Sequence, residues 1–123
     1  HLMGGRSDVP DFLLAADLLL HPARKENTGT VILEAMVAGL PMLVTDVCGY
    51  AKYVTQSKAG AVMSSPFNQQ LFNEQLVSML TEGKTNERRD HALAFANKED
   101  LYSMPEKAVE AIETVINRKR NET

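Results

Sequence analysis

The chain has one cysteine in 123 residues, Cys48, so it can close no internal disulfide. That fits a reducing compartment, and a cytoplasmic location is the expectation. No apolar run approaches the ~20 residues needed to span a bilayer, and no secretory-signal pattern opens the sequence. Charge of one sign is also scarce. Thirteen Lys and Arg face sixteen Asp and Glu, for a formal net charge of -3. So mild an imbalance speaks against a general nucleic-acid-binding surface. His1 and His91 share no metal-ligand spacing with other His, Cys or acidic residues, and no structural metal is expected. There is no internal repeat and no low-complexity segment.

What is present suits one globular domain. The hydrophobic fraction of 44% is too high for a disordered chain, and the length allows a modest core. The opening His1-Leu2-Met3-Gly4-Gly5 reads either as a tag scar or, preferably, as the end of a strand leading through a turn to a helix cap at Asp8. Pro10 suits the first turn of the helix that follows. Leu18-Leu19-Leu20, ending at His21-Pro22, reads as a buried strand, which in a parallel sheet need not alternate.

A loop from Ala23 to Thr28 comes next. Asn27 or Thr28 is the expected cap of a helix from about Gly29 to Ala38, stopped by Gly39 and followed by Pro41. Met42 to Thr45 is a second buried strand. Asp46 to Gly49 is a turn, and a short helix follows around Ala51 to Thr55. Gly60 introduces a third strand, Ala61 to Met63. After Pro66 the pattern becomes helical. Residues 68–82 carry an apolar stripe of Leu71, Phe72, Leu76, Met79 and Leu80, expected to be core packing. Further helices are expected over about 87–97 and from Pro105 to Arg118, the last with Ala108, Ile112, Val115 and Ile116 on one face. The alternation predicts an α/β fold with a Rossmann-like parallel sheet. Only about three strands are evident, so more are expected upstream.

Chemistry concentrates in Glu26-Asn27-Thr28-Gly29-Thr30-Val31-Ile32-Leu33-Glu34-Ala35 and the following Ala38-Gly39-Leu40-Pro41. A strand ends, a loop carries a carboxylate, and a helix begins at a glycine. Ligands of open α/β sheets bind beyond the strand C-termini. A helix start offers free N–H groups and the positive end of a dipole, which favour an anion such as a diphosphate. Glu26 and Glu34 are eight positions apart, ~12 Å if both lie on a helix. Glycosidase carboxylate pairs sit roughly 5–9.5 Å apart. The spacing better suits two ends of one elongated ligand, with hydroxyls donating to each carboxylate. The plain alternative is a pair of solvated carboxylates.

This segment resembles the signature of retaining GT-B glycosyltransferases, the group 1 (family 4) glycosyltransferases. Gly5-Arg6-Ser7-Asp8, Ala16-Asp17, His21-Pro22 and Thr45-Asp46-Val47-Cys48-Gly49-Tyr50 fall in family order, over about residues 4 to 66. Val47 to Ala51 and Asp100 to Lys107 resemble the branch that glucosylates the lipopolysaccharide core. The resemblance implies a partial C-terminal donor-binding domain over 1–123. Residues 1–66 would form a βαβ core with the donor site, and 67–123 a helical C-terminal part. It implies retaining transfer of glucose from UDP-glucose to an inner-core heptose, without a metal or other cofactor. Glu26 would hold donor-sugar hydroxyls and Glu34 the ribose. The Thr30 and Val31 amides would face the diphosphate, Arg6 and Ser7 would flank the uracil mainly through backbone, and Asn27, Thr28 and Gly29 would shape the sugar pocket.

The family's acceptor-binding N-terminal domain and upstream basic pair have no counterpart in these residues, so the chain by itself is expected to be inactive. No catalytic base or nucleophile is identifiable. Other readings stay open: another nucleotide sugar such as a mannose or galactose donor, a lipid or glycan acceptor, or a nucleotide-binding module that self-associates through an exposed sheet edge. The whole enzyme is expected to be peripheral at the cytoplasmic face of the inner membrane. His21 reads as a structural histidine. Arg24 and Lys25 read as solvated charges or phosphate contacts. Arg118-Lys119-Arg120 read as a solvated helix end or a contact to anionic lipid.

Overall fold

The computed structural model describes residues 1–121, with side chains in the last helix described as far as residue 118. Three parallel strands, β1 (Leu19–His21), β2 (Met42–Thr45) and β3 (Gly60–Met63), form one sheet in the order β1-β2-β3. Leu19 pairs with Met42 and His21 with Val44, and Met42 pairs with Gly60 and Val44 with Val62. The helices are α1 (Val9–Ala15), α2 (Thr30–Val37), α3 (Ala51–Ser57), α4 (Gln69–Thr81), α5 (Thr85–Lys98) and α6 (Met104–Asn121).

The central strand explains the layers. All four residues of β2 are buried, because helices cover both faces. Alternate side chains go to opposite sides. Met42 and Val44 pack with Ile32, Ala35 and Met36 of α2, Val54 of α3 and Ala92 of α5. Leu43 points the other way, against Phe72 and Met79 of α4. Gly60 lets the backbones of β2 and β3 close up: a Cβ there would lie 1.8 Å from the Met42 carbonyl oxygen.

Some expectations need correction. No strand is formed over Leu2 to Gly5, where the end of one was expected. The first strand is not fully buried: Leu20 is exposed and its neighbours half-buried, because β1 has a strand partner on one side only. The α4 stripe is only partly core. Asn68 caps this helix by accepting from the Leu71 amide at 3.0 Å, and Phe72 and Met79 are buried, but Leu71 and Leu80 face outward. Asp8 stands at the N-cap of α1, yet its side chain makes no cap hydrogen bond. Arg6 takes it instead, Nε to Oδ1 and Nη2 to Oδ2 both at 2.7 Å.

At the far end, Asp100 pins the start of α6. It accepts from the Ser103 amide at 3.0 Å and from Lys107 Nζ at 2.5 Å. Lys107 and Ser103 together hold the Asp100 carboxyl far below the usual carboxylate range. The apolar face of α6 is exposed at Ile112, Val115 and Ile116. Of the basic end, the Lys119 and Arg120 side chains lie outside the described residues. No helix among the described residues is long and apolar enough to cross a membrane.

Candidate functional site

His21 closes β1 at the C-terminal edge of the sheet, and the chain then crosses that edge as a loop. Three hydrogen bonds fix the loop. Thr45 Oγ1 donates to the Ala23 carbonyl at 2.6 Å. The Gly49 amide donates to the Asn27 carbonyl at 3.1 Å, and the Tyr50 amide to the Thr28 carbonyl at 3.0 Å. The loop is therefore tied to the turn after β2, a link invisible in local sequence.

Gly29 ends the loop and takes the N-cap position of α2 at φ 71°, in the left-handed region. The expected caps, Asn27 and Thr28, do not cap. Glycine is needed here for two reasons. Its φ is unfavourable for a residue with a Cβ, and a Cβ would stand 3.2 Å from both Cys48 Cβ and Ile32 Cδ1. With no side-chain cap, the helix start stays open. The Ile32 amide donates to the Gly29 carbonyl at 2.9 Å. The Thr30 and Val31 amides have no partner among the described residues. Free amides on an eight-residue helix, with its dipole behind them, make a favourable place for an anion.

The two carboxylates lie on either side of this helix start in the chain. Glu26 is in the loop, so the distance reckoned along a helix does not describe the pair. Its Oε1 accepts from the Asn27 amide at 2.8 Å, and its Oε2 lies 3.5 Å from His21 Nε2. Glu34 is one turn into α2 and exposed. It lines a cavity of about 470 Å³ between α1 and α2, beside Val9, Pro10, Leu13, Val37 and Tyr102. Glu26 does not line that cavity. The two carboxylates thus face different surroundings.

Arg6 and Ser7 immediately precede the α1 residues of the Glu34 cavity. The Arg6 guanidinium is engaged by Asp8 and lies 5.0 Å from the Phe12 ring centroid. Arg24 lies 5.2 Å from the Phe67 ring centroid. It lines a second cavity, of about 360 Å³, with Thr45, Val47, Ser64 and Ser65. The wall of that cavity is braced by Asp46, which accepts from the Ser65 amide at 2.8 Å and from Ser65 Oγ at 2.6 Å. These bonds hold the Asp46 carboxyl below its ordinary range. Cys48 is buried beneath the loop, and burial pushes its thiol up. The sequence had no signal for the His21–Glu26 approach or for the Asp46–Ser65 brace.

The glycine-started helix and the acidic loop lie at the C-terminal edge of a parallel α/β sheet, the edge at which open sheets of this class bind their ligands. The family of glycosyl transferases group 1 matches residues 1–93, and the chain belongs to it. Among curated relatives, the lipopolysaccharide glucosyltransferase WaaG of Escherichia coli (strain K12) is 47% identical over 113 residues, 91% of this chain and 30% of that protein. The crystal structure of WaaG superposes with a TM-score of 0.83 at 48% identity, covering 88% of this chain and 30% of that one. Anabaena Alr3699/HepE in complex with UDP-glucose superposes with a TM-score of 0.70 at 25% identity, covering 89% of this chain and 30% of that one. The Rossmann-like sheet is thus part of a GT-B fold, and the chain spans about 30% of the length of these relatives.

Proposed function

We propose that these residues form the donor-binding part of a retaining glycosyltransferase that takes glucose from UDP-glucose to a heptose of the lipopolysaccharide inner core. The observation that carries the reading is the open start of α2, with the unpaired Thr30 and Val31 amides between the Glu26 loop and Glu34. The likeness to WaaG supports the lipopolysaccharide acceptor, and the likeness to HepE, solved with UDP-glucose, supports the donor.

In this reading the amides face the diphosphate, and Glu34 accepts hydrogen bonds from the ribose hydroxyls. Glu26 accepts from the sugar, in a pocket shaped by Asn27, Thr28 and Gly29. The backbone at Arg6 and Ser7 flanks the uracil. When the bond from the sugar to the diphosphate breaks, negative charge grows on the departing UDP. The amides and dipole of α2 stabilise that charge without needing to reorganise. The reaction as proposed takes the nucleotide sugar alone, with no metal or other cofactor. Acceptor binding falls to the parts of the longer protein outside these residues, and the chain by itself would not turn over. The exposed β1 edge is where a further strand, or a second copy of the chain, would add. The whole protein would work in the cytoplasm, at the inner face of the membrane that carries the acceptor.

The test is transfer of labelled sugar by the full-length protein to lipopolysaccharide truncated at the inner-core heptose. UDP-glucose should support transfer with retention, and UDP-galactose and GDP-mannose should not. Preferential use of either competitor would refute the donor assignment.

A further inference from the structure

His21 is left out of every role above, yet its environment is unusual for a structural histidine. Nε2 is buried and has no hydrogen-bond partner among the described residues. It faces Glu26 Oε2 at 3.5 Å, a contact that lacks hydrogen-bond geometry. A buried polar atom left unpaired is costly. A shift of a few tenths of an ångström in the Glu26 side chain would bring the two atoms into hydrogen-bond range.

The other half of Glu26 is already fixed, because Oε1 accepts from the Asn27 amide at 2.8 Å. A second donor on Oε2 would leave the carboxylate plane no freedom to turn. Each oxygen would still have a lone pair for a hydroxyl. His21 is also well anchored: it ends β1 and is paired in register with Val44 of the fully buried β2. A rigid strand end is a better reference point than the loop that carries Glu26.

We propose that His21 is a positioning residue for Glu26, donating Nε2–H to Oε2 so that the carboxylate presents a fixed pair of acceptors to two hydroxyls of the donor sugar. The inference rests on the assignment of Glu26 to the sugar. Nε2–H is present in one neutral tautomer and in the charged ring. The ring touches no reacting atom and acts only through Glu26.

A structural role and a positioning role differ in what they move. Loss of packing at His21 would weaken UDP and UDP-glucose together. Loss of Glu26 orientation would weaken only the ligand that carries a sugar. The experiment measures the inhibition constant of UDP, and KM and kcat for UDP-glucose, in the full-length protein. His21→Leu should raise KM for UDP-glucose about tenfold, the worth of one hydrogen bond to a charged group, and leave the UDP constant unchanged. His21→Gln, whose amide N–H can replace Nε2–H, should recover to within about threefold.

Parallel weakening of UDP and UDP-glucose in His21→Leu, or no change in either, would overturn the proposal. Should His21→Leu fail to fold, a cycle of His21→Ala, which removes the donor, and Glu26→Gln decides. Coupled effects on KM support positioning, and additive ones refute it. Glu26→Gln also separates the two levels. If it leaves the preference for UDP-glucose over UDP intact, the sugar assignment falls and this inference with it. If it abolishes that preference while His21→Leu does not, only the role of His21 is lost.

Discussion

Replacing Gly29 by alanine should damage the fold and the site together, and the structure supplies its own control. Gly83, between α4 and α5, has nearly the same backbone, φ +69° against +71°, and nothing within 4 Å of the space a Cβ would fill. Gly83→Ala therefore measures left-handed strain alone, ~1 kcal/mol. Gly29→Ala adds two contacts at 3.2 Å, with Cys48 Cβ and Ile32 Cδ1. Both neighbours are buried, Cys48 at 3% and Ile32 at 0% exposure, so neither can give way freely. Overpacking of this kind costs ~1–3 kcal/mol. The expected total is about 2–4 kcal/mol, below the ~5–15 kcal/mol that typically separates folded from unfolded. The variant should fold, with a lower urea midpoint and an unchanged m value. Relief of the clash would move the amides of Thr30 and Val31, so UDP affinity should fall about tenfold or more, while Gly83→Ala binds UDP normally. A Gly29→Ala protein no less stable than Gly83→Ala, or one that keeps full UDP affinity, would rule out a clash at Gly29 that displaces these amides.

The remaining expectations concern the core and the groups around the loop. Phe72→Ala should cost ~3–5 kcal/mol in urea denaturation and the adjacent, exposed Leu71→Ala under ~0.5 kcal/mol, which separates the two sides of α4. Asp46 has a lowered carboxyl in the folded state through its bonds from Ser65. Its contribution is therefore present above the unfolded carboxylate pKa of ~3.9 and is lost as pH falls through the lower folded value. Asp46→Asn should flatten that part of an acid denaturation profile, and an unchanged slope would count against the brace. The Cys48 thiol is raised by burial, so iodoacetamide at pH 8 should label it only after unfolding. Rapid labelling of the native protein would contradict its place under the loop.

Most of the architecture can be read directly from residue pattern. The apolar run Met42-Leu43-Val44 forms the strand expected of it, and the Phe72–Met79 spacing forms a helix. Both signals are local and periodic. What failed was decided at a distance. Leu18-Leu19-Leu20 looks as buried as the second strand, but burial depends on having neighbours on both sides, and β1 has a strand on one. Leu71 and Leu80 extend the α4 stripe beyond the width that the sheet can cover.

The same division holds at the site. The glutamates, the glycine and the helix start are adjacent in sequence and were legible there. Asn27 and Thr28 are good cap residues, but the turn after β2 holds their carbonyls and the cap position falls to Gly29. Asp8 takes the N-cap position expected of it, but a bidentate partner two residues away holds its side chain in place of its own helix. The approach of His21 to Glu26 depends on how the loop folds back across the strand end, and no spacing rule encodes that.

Calorimetric titration of UDP into the wild-type protein and Glu34→Ala asks whether the start of α2 and Glu34 together hold the nucleotide. Loss of hydrogen bonds from ribose hydroxyls to a carboxylate is worth ~1.5–3 kcal/mol, so UDP binding should weaken roughly 10- to 150-fold in the variant. Equal UDP affinity in the two proteins would contradict it.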